Sequence, residues 1–285
     1  MTPTLFDATR CSLGEGPLWH PERGELFWFD INNRQMLVRS GGQTRTRSFP
    51  EIVTAAGWVD RDTLLVASET ALSRVDLNGG AEVLVPLEAD DPRTRSNDGR
   101  ADPQGGFWIG TMGKQAEPGL GAIWRYYRGE LRRLVEGISI PNAISFPPGG
   151  RSVCWACTTQ QKVMRQALDA DGWPVGQPEV FIDMTAEDLS PDGAVFDAAG
   201  HFWNAQWGAS RVAEYDRDGS FLRAIDLPAV QTTCPAFGGP DLRTLFCTSA
   251  AQDVAPETPA DDDPQGQTFQ VEGLGPGQPE HRVVL

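Results

Sequence analysis

The chain has 285 residues, is 40% hydrophobic, and carries 39 acidic against 24 basic side chains for a net charge of −15. Its length suits one large domain or two ordinary ones, and its apolar content excludes global disorder. The charge argues against a nucleic-acid or anionic-membrane partner, since no basic stripe exists to neutralise phosphates, and it favours solubility through self-repulsion.

The N-terminal "MTPTLFDATRCSLGEG" has neither a basic nor an apolar region, so no signal peptide is expected. No stretch reaches the roughly 18 to 20 apolar residues that span a bilayer. Five scattered cysteines fit a reducing compartment, and a cytoplasmic protein is the expectation. Cys154 and Cys157 form a C-x-x-C, but the segment reads as a strand, where residues three apart face opposite ways. No second C-x-x-C exists to complete a zinc site.

In chain order, short strands recur between turn signals. "PERGELFWFDI" centres on Trp28, "VDRDTLLVASE" near Leu65, "DPQGGFWIGTM" on Trp108, "PPGGRSVCWACT" near Trp155, "DAAGHFWNAQW" on Trp203 and "GGPDLRTLFCTS" near Phe246. The intervals are 37, 43, 47, 48 and 43 residues, and most centres are followed by a second alternating strand. Two hairpins per 40 to 48 residues mark a four-stranded propeller blade. The repeat therefore predicts an all-β, six-bladed β-propeller, one domain over residues 1–285. "TLFDA" is expected to complete the last blade beside "TFQVEG" and "HRVVL". "DVAPETPADDDPQG" reads as an exposed loop, with an acidic metal site as a minor alternative.

Some 11 to 13 residues before each centre lies the segment expected to line the central channel. It carries Glu15, the neutral Val53 and Thr54, Asn97, Asn142, Asp192 and Cys234 in turn. Equivalent places in a ring converge on its axis. Two carboxylates and two carboxamides there make an all-oxygen site for a divalent cation: calcium, magnesium, manganese, iron(II) or zinc. The bland alternative is turn chemistry, which Asp98-Gly99 and the Gly193 of "SPDG" would satisfy. Glu15 and Asn142 have no such reason to be there. His20, His201 and His281 lie far apart in the repeat, and His20 and His201 read as structural. Trp207 in "NAQWGAS" follows a strand toward a loop and is a candidate wall for a pocket. No nucleophile elbow or phosphate loop is present.

"SLGEGPLWH", "RSNDGRADPQGGFWIGTM", "IPNAISF", "SPDGAVFDAAGHFW" and "CPAFGGPDLRTLFCTSA" resemble the regucalcin/gluconolactonase family, in order and spacing, from about residue 11 to residue 250. The resemblance implies a propeller with one divalent metal held by Glu15, Asn142 and Asp192, with Asp192 also the general base. It implies that Arg95 and Asn97 contact a sugar, Asn97 reaching the metal directly or through water. Where relatives carry a Glu after "GTM", this chain has Gln115 beside Lys114, which bears on substrate identity.

The expected activity is metal-dependent hydrolysis of a pentose- or hexose-derived aldonolactone, with tolerance for a lactone bearing a second carboxylate, by a monomer or small homo-oligomer. The alternatives are a metal-dependent hydrolase of another ester or phosphoester, a non-enzymatic propeller scaffold with a structural metal, and a calcium-buffering protein.

Overall fold

The computed structural model describes residues 2–255 and 263–285. Among the described residues, twenty-four strands form six four-stranded antiparallel sheets, each contacting the next around a ring. Blades 1 to 5 are consecutive in sequence, with innermost strands Gly14–His20, Val53–Asp60, Thr94–Ala101, Pro141–Ser145 and Ser190–Phe196. Blade 6 contains Gln231–Gly238, Thr244–Ala250 and Thr268–Glu272, and its outer position is taken by Thr4–Asp7 from the other end of the chain. The fold is a six-bladed β-propeller.

All six sequence-read centres fall in the second strand of their blades and are buried. Two blades show why Asp, Gly and Trp recur together. Asp102 Oδ1 accepts the backbone N–H groups of Gln104 and Gly106, closing a turn with Gly105 at φ 93°, while Oδ2 accepts Trp108 Nε1 at 3.1 Å. Asp197 repeats this with the His201 N–H, Gly200 at φ 84° and Trp203 Nε1 at 3.2 Å. The aspartate satisfies both the turn and the buried indole, so the two residues keep a fixed spacing.

The core is distributed, with one apolar cluster between each pair of neighbouring blades. Cys154 and Cys157 belong to different clusters, on opposite faces of their strand, and neither forms a disulfide. No helix of the described residues is long and apolar enough to cross a membrane.

Two expectations need correction. "HRVVL" is not a blade strand. After Thr268–Glu272 the chain crosses the ring at the C-terminal ends of the innermost strands. Gln278 Nε2 donates to the carbonyls of Phe146 and Phe196, and Glu280 pairs with Arg100. Val283 N–H bonds the Trp58 carbonyl and Val284 N–H that of Gly105. Four blades are bridged by one extended strap, whose alternation serves burial of Val283 rather than sheet pairing. The acidic loop is also not wholly exposed. Residues 256–262 lie outside the described residues, but Asp263 is buried, with its Oδ2 2.5 Å from Arg10 Nη2.

Candidate active site

Every innermost strand breaks register with its neighbour near its N-terminal end. The breaks lie between Glu15 and Leu18, Val53 and Ala55, Ser96 and Gly99, Asn142 and Ser145, Pro191 and Ala194, and Thr232 and Pro235. A bulge re-aims side chains that an unbroken strand would send into the sheet faces. This corrects the turn reading of Asp98-Gly99 and Gly193, which lie in strands. Gly193 is glycine because a Cβ there would collide with the Cys234 side chain.

The bulges come in two forms. In blades 1 and 4, opposite each other in the ring, the residue after the candidate ligand is left-handed: Gly16 at φ 56° and Ala143 at φ 58°. A side chain at Gly16 would also meet the Thr54 carbonyl. Ala143 carries the strain of that conformation, a cost of about 1 kcal/mol. In blades 3 and 5 Asn97 and Asp192 sit within the break itself. That offset accounts for the variable 11- to 13-residue spacing in the sequence.

The structure brings Glu15, Arg95, Asn97, Gln115, Asn142 and Asp192 to one cavity of about 420 Å³, with Lys114, Thr158 and Trp207 also on its walls. Glu15, Asn142 and Asp192 are 8%, 4% and 5% exposed. Glu15 and Asp192 face the same cavity closely enough for each to shift the other's pKa. Burial, then the charge of Asp98, pushes the Glu15 pKa up to about 8. Burial, then Glu15 and Asp98, pushes Asp192 well above the usual carboxylate range. Asp98, itself buried, accepts the Ile144 N–H at 2.7 Å and ties blade 3 to blade 4.

The amides are held in one orientation. Asn97 Nδ2 donates to the Pro141 carbonyl and to Asn142 Oδ1, both at 2.9 Å. Asn142 Nδ2 donates to Thr158 Oγ1 at 2.9 Å, and that hydroxyl donates to the Pro191 carbonyl at 2.8 Å. Asn142 Oδ1 thus keeps one lone pair, and Asn97, its two donors spent, has only its carbonyl oxygen to offer. Arg95 Nη1 donates to the Ser96 carbonyl and to Asn97 Oδ1, which leaves Nε and Nη2 without an acceptor among the described residues.

Two buried carboxylates that repel each other when both are ionised, beside a carboxamide oxygen with a free lone pair, fit a hard or borderline divalent cation. Among the described residues, Asp197, His201 and Glu214 also gather ligand atoms within 4.8 Å. Their acceptors are already engaged: Asp197 by Trp203, and Glu214 by His201 and Arg223. This cluster is blade 5's counterpart of the buried Asp102–Arg125 pair in blade 3.

Sequence reasoning missed Thr158, which orients Asn142, and treated Asp98 as a turn residue. Thr158 ends the quoted "PPGGRSVCWACT", but nothing in the repeat spacing marks a residue there as a partner of Asn142. Asp98 is distinguishable only once the bulge is known.

The family model described as SMP-30/Gluconolactonase/LRE-like region matches residues 13–251. A putative sugar lactone lactonase of Rhizobium meliloti (strain 1021) is 36% identical over 98% of this chain and 97% of its own. The pentonolactonase XacC of Haloferax volcanii is 33% identical over 99% and 98%. The crystal structure of a calcium-binding regucalcin from Agrobacterium tumefaciens superposes with a TM-score of 0.96, at 38% identity over 99% of this chain and 97% of that one. With its motifs in order and its match covering most of its length, this chain belongs to the SMP-30/gluconolactonase/LRE-like family.

Proposed function

We propose that the protein hydrolyses a sugar lactone, a pentose- or hexose-derived aldonolactone, to the open-chain sugar acid, with one divalent cation held by Glu15, Asn142 and Asp192. The observation that carries this reading is the convergence of those three side chains at a cavity whose wall holds Arg95 and Asn97. The names of the two lactonase relatives support it.

A cation held there would polarise the lactone carbonyl and stabilise the oxyanion that develops on its oxygen. With the mutual repulsion of the carboxylates compensated in this way, Asp192 would be ionised at neutral pH. It accepts a proton from the water that adds to the carbonyl carbon. It then returns that proton to the ring oxygen as the C–O bond breaks, leaving a hydroxy acid. Arg95, through Nε and Nη2, donates to ring substituents, and Asn97 Oδ1 accepts from a hydroxyl. The Asn97–Asn142–Thr158 chain holds these groups in place before substrate arrives.

The test is a panel of five- and six-membered aldonolactones, assayed in a pH-stat after chelation and after re-addition of single metals. Hydrolysis that returns with one or more cations is expected. A protein that opens no lactone with any of the metals would overturn the proposal.

A further inference from the structure

The rim of the cavity carries a charge arrangement that aldonolactone hydrolysis does not require. Lys114 follows directly after the strand Phe107–Gly113, and its backbone N–H bonds the Arg93 carbonyl. Arg95 pairs in register with Met112 across the same sheet, so Arg95 and Lys114 are diagonal neighbours on one wall. Lys114 Nζ is anchored by an ion pair to Glu69 of blade 2 and by the Pro92 carbonyl at 2.8 Å. Two of its three ammonium protons are thus committed, and the third has no acceptor among the described residues. Arg95, on the same cavity wall, keeps Nε and Nη2 without an acceptor among the described residues. Arg95 and Lys114 are the cationic side chains lining the cavity, and Glu69 stands behind Lys114, outside the lining.

Gln115, the position expected to read substrate charge, is differently placed. Its side chain is exposed, and its backbone N–H is held by Glu117 Oε2 at 3.0 Å, which folds the loop back on itself. The anchored, part-buried Lys114 is better positioned than the free tip of Gln115.

We infer that Lys114, held over the cavity by Glu69, selects lactones bearing an anionic group remote from the ring carbonyl, a carboxylate, sulfonate or phosphate, over neutral lactones of the same ring size. The inference rests on the lactonase reading above. With Glu15 and Asp192 compensated by a bound cation, Arg95 and Lys114 are the remaining charged side chains among the cavity's lining residues, and they draw the remote group to their side while the lactone carbonyl sits at the cation site.

The experiment compares an aldarolactone with the aldonolactone of matching ring size and stereochemistry, in wild type, Lys114→Met, Glu69→Gln and Gln115→Glu. Lys114→Met is expected to lower the anionic-to-neutral ratio of kcat/KM about three- to five-fold, the range of a partly exposed ion pair. The loss should sit in KM, shrink with added salt, and leave the neutral lactone within about two-fold. Glu69→Gln, which removes the opposing charge, should raise the ratio, and Gln115→Glu should move it less than Lys114→Met does. A ratio unchanged in Lys114→Met, or an equal loss on both lactones, overturns the inference while leaving lactone hydrolysis standing. Equilibrium binding of the open-chain aldarate and aldonate is measured alongside. If wild type prefers the aldarate and Lys114→Met does not, yet no lactone is opened, Lys114 reads charge and the hydrolytic reading falls.

Discussion

Glu15 and Asp192, 177 residues apart in the chain, meet at the wall of one cavity at the candidate site. Both are buried, and the charge of Glu15 adds to burial in pushing Asp192 up.

Glu15→Gln and Asp192→Asn should both keep the fold, because each relieves a repulsion, and both should weaken divalent-cation binding. Asp192→Asn should lose more. At saturating cation Glu15→Gln recovers part of its turnover, whereas Asp192→Asn stays at least about 100-fold down, the usual contribution of a general base. Wild-type turnover by Asp192→Asn at saturating metal would remove the base from the mechanism.

Stability of the chelated protein should fall as pH rises. The folded-state pKa values of Glu15 and Asp192 lie above their unfolded values, so the folded state retains protons that the unfolded chain releases. The associated stability is complete below the ordinary carboxylate range and is lost as pH climbs through the raised values. Thermal unfolding of chelated protein between about pH 6.5 and 8.5 should show a declining Tm. Saturating cation should flatten the decline, and cation affinity should rise over the same interval as binding displaces protons. A chelated Tm that climbs with pH would contradict the buried-pair assignment.

The two bulge forms predict an asymmetry between blades 1 and 4. Gly16→Ala forces a Cβ into the Thr54 carbonyl at a positive φ and should displace Glu15, weakening cation binding at least about ten-fold. Ala143→Gly relieves left-handed strain but removes a buried methyl, two effects of about 1 kcal/mol each, so its Tm and cation affinity should stay near wild type. Calorimetric titration of both variants reads the difference.

The strap predicts a stability effect far from the chemistry. Arg100 and Glu280 are buried together, with side chains 10% and 6% exposed. Glu280→Gln leaves a buried guanidinium uncompensated and should cost about 3 kcal/mol, seen as a Tm several degrees lower. Truncation after Gly273 removes the same pair and the Val283 contacts and should cost more.

The blades were legible in the sequence because Asp102 and Trp108, like Asp197 and Trp203, keep a spacing set by one aspartate serving both turn and indole. The meeting of Glu15, Asn97, Asn142 and Asp192 followed from ring closure alone. The bulges were not legible, because Asn-Asp-Gly and Asp-Gly spell a turn as readily as a break inside a strand. "HRVVL" was misassigned because an extended segment alternates in the same way whether it pairs in a blade or spans a ring opening. The Glu69–Lys114 and Asn142–Thr158 contacts join segments whose spacing carries no period, so only the folded chain reveals them.

The central claim is that a single cation site at Glu15, Asn142 and Asp192 is where the lactone is opened. The most direct measurement titrates one divalent metal into chelated protein and follows bound metal and lactone hydrolysis in the same samples. Activity rising in proportion to occupancy and levelling at one cation per chain is the predicted result. Full hydrolysis by the chelated protein, or occupancy reaching one without hydrolysis of any lactone, would contradict it.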